Sequence, residues 1–367
     1  MTQDEAFLQA IRENPDDDTP RLIYADWLQE RGDPHGEFIH VQCMLEGMSP
    51  DDPRRADLEA LERRLLPAME KRLAGPLDKL VLKYHIRRGF VSAVMLKAEN
   101  YLERAEAILR LAPAAQAHLA DARAEHVAAL AASPSLARVV GLSCRFSSLG
   151  DEGLRALLAS PHLVRLTHLE LYSCSISPAG IESLASTPQL AALTSLELGL
   201  SGHYGAIGHR NAVGVRGAQA VAKSPYLKQL TVLKLGGDPE YASGSNDIGR
   251  EGAEALAASA NLADLTSLDL SCNHIDDLGA QALAASPHLS CLTQLDLRGN
   301  DITDAGVQAL IDSPHLDRLT SLGLSSNPGG PAIGFGYDWD GTCVYAKSDS
   351  PAFERLPARF RQPLRIL

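Results

Sequence analysis

Long apolar runs are missing from this chain of 367 residues. The local maxima are short stretches such as Val127 to Ala132, far below the roughly 18 residues that span a bilayer. The N-terminus, MTQDEAFLQAI, carries Asp4 and Glu5 where a secretory leader has basic residues, so no cleaved signal and no membrane are expected. A basic surplus is missing too. Lys plus Arg is 34 against 46 for Asp plus Glu, a net charge of −12, which argues against broad capture of DNA, RNA or anionic lipid. A basic protein surface is easier to accommodate. The six cysteines (Cys43, Cys144, Cys174, Cys272, Cys291, Cys343) form no C-x-x-C pair and no dense framework, so reduced thiols in a cytoplasm fit better than a disulfide scaffold.

Catalytic signatures are equally scarce. No Gly-rich phosphate loop is present, since the G-x-G at Gly334 to Gly336 lacks a following Lys-Ser/Thr, and no nucleophile elbow occurs. His35, His40 and Cys43 are spaced by four and two residues without a fourth metal ligand. Asp26 and Glu37 read as hydrogen-bonded structural carboxylates rather than catalytic acids. The expectation is a protein without catalytic residues, cofactor or metal.

What is present is a repeat. A helix-like phrase ending in Ser-Pro or a near relative recurs at Ser133-Pro134, Ser160-Pro161, Thr187-Pro188, Ser224-Pro225, Ser259-Ala260, Ser286-Pro287 and Ser313-Pro314, at spacings of 27, 27, 37, 35, 27 and 27. After it comes L-T-x-L-x-L, as at Leu265 to Leu270 and Leu292 to Leu297. In one unit, Leu295 and Leu297 alternate as in a strand, while Val307, Leu310 and Ile311 recur at helical spacing. Glycines such as Gly252, Gly279 and Gly306 sit near each helix start, where a missing Cβ permits close approach, and the Ser-Pro stops the helix. One strand and one helix per unit cannot bury these leucines alone, whereas stacked units can.

The units resemble leucine-rich repeats of the long ribonuclease-inhibitor-like class: L-T-S-L-D-L-S-C-N-H-I from Leu265 to Ile275 meets the signature L-x-x-L-x-L-x-x-N/C-x-L. That resemblance implies an α/β fold, a leucine-rich-repeat solenoid with a curved parallel sheet and helices on the convex side. It also implies a ladder of buried asparagines, here Asn273, Asn300 and Asn327 with Cys174 as the permitted substitute. Ser201 and Asp238 depart from the pattern, so the ladder is expected to be interrupted in the two long repeats.

Residues 1–48 lack this period and read as three short helices, a small all-α N-terminal module. Tyr24-Ala25-Asp26-Trp27-Leu28 and Gly36-Glu37-Phe38-Ile39 make it similar to the bacterial repeat-companion domain, which implies bacterial origin and repeats downstream. Residues 49–86 read as a helical connector with Leu58, Leu61, Leu65 and Leu66 as its apolar stripe, kinked or divided at Pro67. The solenoid is placed at 87–325, its first repeats degenerate, and residues 326–367 form a C-terminal cap or tail.

With chemistry set aside, surface remains. The residue between the second and third leucines must point outward from the sheet, giving the column Glu170, Glu197, Lys234, Asp269, Asp296 and Gly323; a second column holds Tyr172 and Arg298 among small residues. Glu197 and Asp269 are both expected to be exposed. The repeats with spacings of 37 and 35 carry insertions just after the strand, presenting His203, Tyr204, Arg210 and Tyr241 on one rim. The sequence thus reads as a monomeric protein-binding scaffold taking a protein partner, a basic one by charge, with regulation of a partner enzyme (inhibitor or GTPase-activating type) as the alternative.

Overall fold

The computed structural model describes residues 2–14, 17–49, 52–112, 115–120, 124–145, 147–200, 210–237 and 245–329. The chain divides into two compact units, 1–120 with 132–143, and 121–131 with 144–367. Among the described residues, no helix is long and apolar enough to cross a membrane.

The first unit opens with α1 (Gln3–Glu13), α2 (Thr19–Gln29), α3 (Pro34–Gly47) and α4 (Arg55–Leu73). A capping box starts α1: Thr2 Oγ1 accepts from the Glu5 amide, and Glu5 Oε2 accepts from the Thr2 amide. Pro67 neither ends nor divides α4. Pro67 and Arg63, the residue whose carbonyl would otherwise accept from position 67, are both exposed, so the lost bond falls on the solvent side of the helix.

Next come the antiparallel hairpin β1 (Lys83–Arg87) and β2 (Phe90–Lys97), then α5 (Ala98–Leu111), β3 (Gln116–Ala120) and β4 (Gly141–Ser143), with β2, β3 and β4 parallel. Phe90 completes the helical core of Ile11, Tyr24, Ala25, Leu28, Ile39 and Cys43. The hairpin turn is pinned to α3 on both sides: the Gly89 amide donates to Gln42 Oε1 and the Gly89 carbonyl accepts from His35 Nε2, each at 2.7 Å. Gly89 has φ +80°, and a Cβ there would press into Ile39, so only glycine fits. Gly36, from the Gly-Glu-Phe-Ile phrase, lets α3 cross against the Ala25 carbonyl of α2.

The second unit takes most of α6 (Ala124–Ala132) and then alternates α7 (Gly150–Leu158), β5 (His168–Glu170), α8 (Pro178–Ala185), β6 (Ser195–Glu197), α9 (Gly214–Lys223), β7 (Val232–Lys234), α10 (Gly249–Ala257), β8 (Ser267–Asp269), α11 (Asp277–Ala284), β9 (Gln294–Asp296), α12 (Asp304–Ile311) and β10 (Ser321–Gly323). Strands β5 to β10 pair in parallel in sequence order, with Leu169, Leu196, Leu233, Leu268, Leu295 and Leu322 in one buried register row. Neighbouring helices approach closely: a Cβ on Gly252 would lie 3.2 Å from that of Ala218, and one on Gly306 would lie 3.2 Å from that of Ala280.

Side-chain ladders join the repeats. In the asparagine ladder, Asn300 Oδ1 accepts from the Asn273 and Ile275 amides while its Nδ2 donates to the Leu270 and Leu297 carbonyls. The expected interruption does not occur. Asn211 takes that place in one long repeat, accepting from the Cys174 and Ile176 amides and donating to Leu171 and Leu198. Asn246 does so in the other, donating to Leu198 and Leu235. The ladder residue follows each insertion rather than preceding it, because the chain must close the same turn before its next helix.

Two further ladders run alongside. Hydroxyls of Thr194, Thr231, Thr266, Thr293 and Thr320 donate to the preceding threonine's carbonyl at 3.0–3.2 Å. The Ser-Pro serines do more than end helices: Ser224, Ser259, Ser286 and Ser313 are buried and donate at 2.5 Å to Ala185, Ala222, Ala257 and Ala284. Ser259 precedes alanine, so the serine rather than the proline makes the bond.

Cys144 and Cys174 are buried free thiols whose pKa values burial raises, that of Cys174 to about 12. Cys174 is at the ladder position as expected. Cys144 stands instead at the third-leucine position, and Ser147 occupies the ladder site of that repeat, bonding Cys174 Sγ.

Candidate functional site

The outer face of β5 to β10 presents three residues per strand, since alternate side chains of a pleated strand point away from the core. Besides the two expected columns there is a third, His168, Ser195, Val232, Ser267, Gln294 and Ser321, which the same period-two rule could have identified.

Charge on this face is more neutralised than the sequence suggests. Glu170 pairs with Arg145 at 2.9 Å, from the segment preceding α7, and the same guanidinium lies 4.9 Å from the Tyr172 ring centroid. Glu197 is only 8% exposed and is paired with Lys234 at 3.2 Å, contrary to the expected exposure. Two methylenes bring it within reach of the cation on the next strand, and Tyr172 crowds the other side. Asp296, the last residue of β9, pairs with Arg298 two residues on, Nε to Oδ1 at 2.9 Å. Asp269 alone in the column has no cation within pairing distance among the described residues; it accepts instead from the Ser271 amide at 2.9 Å and the Ser271 hydroxyl at 2.7 Å.

Asp269 is half-buried, again less open than expected. Burial first, and then the Asp296 carboxylate directly across the strand pair, raise its pKa from an ordinary 3.8 to about 6, against the opposing Ser271 hydrogen bonds and the more distant Arg298 charge. Lys234 is its in-register neighbour on the other side but is held by Glu197. Burial, helped by Glu197 and Asp269, also raises the pKa of the Tyr172 hydroxyl well above its ordinary value.

Space on the face is shaped by glycine. A Cβ at Gly199 would meet Tyr172 Cε1 at 2.6 Å, and one at Gly236 would collide with the Asp269 carboxylate and Ser271. Tyr172 leans over the first bare position and Asp269 over the second. Of the loop residues named from the sequence, Arg210 is exposed at the end of its insertion, whereas His203, Tyr204 and Tyr241 lie outside the described residues.

The chemistry-bearing residues of the first unit are otherwise engaged. His35 is buried, its pKa lowered chiefly by burial, and its ring donates to Gly89. Asp26 is exposed and lies 3.3 Å from His40. Among the described residues, no three His, Cys, Asp or Glu side chains are grouped to hold a metal ion.

No curated protein matches the chain. A solved structure, "Crystal structure of Rad7 and Elc1 complex in yeast", aligns over 89% of this chain and 87% of that one at 13% identity, with a TM-score of 0.31. A family model described as Leucine Rich repeat matches residues 244–257, 261–284 and 288–310, the segments that form α10, α11 and α12 and the strands between them. Residues 244–310 are leucine-rich repeats.

Proposed function

We propose that this protein is a non-catalytic scaffold that binds a protein partner through the concave sheet face and the two insertion loops beside it. The observation that carries the reading is the outer face itself: six parallel strands present polar and aromatic side chains over bare glycines, and the half-buried Asp269 has no cation within pairing distance among the described residues. Extended repeat surfaces bind by such complementarity rather than by a pocket. A partner presenting a basic side chain gains most, because it neutralises a desolvated charge that no cation of the described residues pairs. The binding residues on this reading are Tyr172, Lys234, Asp269, Asp296, Arg298 and the loop residues around Arg210. We further read the chain as a monomer of a bacterial cytoplasm, with ribonuclease-inhibitor-like repeats extending beyond 244–310 and with no affinity for nucleic acid.

The test is capture of partners from a bacterial lysate by the full chain, by Asp269→Lys, and by a chain lacking residues 202–209. Asp269 replaces the more obvious Glu197, whose substitution would break the Lys234 pair and confuse folding with binding. Capture should fall at least tenfold in both variants while thermal unfolding shifts by only a few degrees. Unaltered capture by both would move the site elsewhere, to the N-terminal helices around Trp27.

A further inference from the structure

Among the described residues of this sheet face, three carboxylates have a cation within pairing distance and the fourth does not: Glu170 has Arg145, Glu197 has Lys234, Asp296 has Arg298, and Asp269 is hydrogen-bonded to Ser271, with Arg298 acting on it only from further off. The two strands before Asp269 carry Gly199 and Gly236 in the adjoining column, so no side chain of their own covers that part of the face. The Tyr172 ring bounds it on one side, and the Asp296–Arg298 pair on the other. A planar guanidinium suits such a place, pairing with a carboxylate at its edge and packing on glycine backbone and an aromatic ring.

The second unit carries a candidate for that cation in its own chain. Residues 353–367, FERLPARFRQPLRIL, hold Arg355, Arg359, Arg361 and Arg365 against a single Glu354. The segment carries a net charge of +3 in a chain of net −12, so the rest of the chain holds −15. The last described turn is tied to the stack, with the Gly329 amide donating to the Ile302 carbonyl at 2.8 Å. Asp269 is on β8, two strands from β10, or about 10 Å at a strand spacing near 4.8 Å. The residues between 329 and 353 span up to roughly 80 Å when extended and about 25–30 Å as a random chain. Length therefore does not restrict access, and a tether of this size gives an effective concentration on the order of millimolar.

We propose that the C-terminal segment 353–367 docks on the outer face of β6 to β8 with one of its arginines paired to Asp269, so that the chain occupies its own binding surface and a partner must displace it. This rests on the reading of that face as the binding site. In general terms, such a tail costs a partner a factor set by the tail's own occupancy, and it discriminates against weak basic ligands.

The experiment uses the full chain. Arg359→Lys, Arg361→Lys and Arg365→Lys are made singly and treated with a zero-length carbodiimide, which joins a lysine amine to a carboxylate in contact with it. The expected product is an amide between the introduced side chain and Asp269, formed in at least one variant. It should be lost when Asp269→Asn is added and unchanged in yield over a tenfold range of protein concentration. In parallel, a labelled synthetic peptide of residues 353–367 is titrated against the full chain carrying Arg355→Gln, Arg359→Gln, Arg361→Gln and Arg365→Gln. Its affinity should fall at least tenfold with Asp269→Asn and fall again between 50 and 300 mM salt. Absence of both the cross-link and peptide binding overturns the proposal, as does peptide binding indifferent to Asp269→Asn. Cross-linking that rises with protein concentration overturns it in favour of a second copy. If the peptide is lost in Asp269→Asn while lysate capture is not, the tail contact stands and the reading of the face as the partner site falls.

Discussion

Replacing Asn211 tests whether the ladder runs through the first long repeat. Its side chain makes four buried hydrogen bonds, accepting from the Cys174 and Ile176 amides at 3.0 and 3.1 Å and donating to the Leu171 and Leu198 carbonyls at 2.6 and 3.0 Å. Asn211→Ala removes all four. Each bond contributes about 1 kcal/mol net, and a buried amide left without an acceptor costs about 1–3 kcal/mol. A water entering the vacated space recovers part of this, which leaves an expected loss of about 3–6 kcal/mol. Ser201 is where the unbroken repeat period would place the asparagine, and with Asn211 holding the ladder Ser201→Ala should cost under about 0.5 kcal/mol. Guanidinium unfolding of the two variants beside Asn300→Ala supplies the comparison, since Asn300 makes the equivalent bonds in a repeat of ordinary length. Native-state hydrogen exchange adds a local measure: the Cys174 and Ile176 amides should lose protection in Asn211→Ala and keep it in Ser201→Ala. A cost below about 1 kcal/mol for Asn211→Ala, with those amides still protected, would refute the continuous ladder.

Three further outcomes follow from the same geometry. Leu295 is 1% exposed in the central row, so Leu295→Ala should cost about 2–5 kcal/mol in chemical unfolding, and a change under about 1 kcal/mol would contradict the register. Ser286→Ala should cost about 1–2 kcal/mol by removing the bond to the Ala257 carbonyl, whereas Pro287→Ala should leave the midpoint nearly unmoved; the reverse order would return the role to proline. For Asp269 the sign follows from a folded pKa near 6 above an ordinary 3.8. As pH rises through this window the unfolded chain releases a proton that the folded chain keeps, so the native state loses stability between about pH 4 and 6 and stays penalised above it. In the chain with its four tail arginines changed to glutamine, Asp269→Asn should therefore raise stability by about 1–2 kcal/mol at pH 7.5 and by almost nothing near pH 4. A larger gain at the acid end would refute it.

The repeat period, the strand and helix of each unit, the inward leucines and the ladder residues Asn273, Asn300 and Asn327 were legible because hydrophobic periodicity and a buried amide leave fixed spacings. Asn211 and Asn246 were not, since an insertion breaks the count from the preceding leucine while leaving the count to the following helix intact. Val213 and Ile248, two residues after each asparagine, were the available signal. The serine ladder was hidden behind a valid local rule, proline's incompatibility with helix, which explained Ser-Pro without requiring the serine. On the sheet face, alternation identified which residues point outward but not how their charges are shared. Lys234 lies beside both Glu197 and Asp269, and side-chain reach across the strands, rather than sequence, assigns it to Glu197.

The serine and threonine ladders all donate in one direction, from each repeat back to a carbonyl of the one before it. A chain made from its N-terminus therefore exposes acceptors first, and every newly emerged repeat brings the hydroxyls that fit them. The array grows like a zip whose open end is always the side that receives. A whole unit duplicated in tandem would bring both halves of each clasp, so lengthening by 27 residues requires no change in either neighbour. The register tolerates other lengths at the place where the two long repeats carry theirs, between the third leucine and the asparagine, upstream of the point at which the next clasp closes.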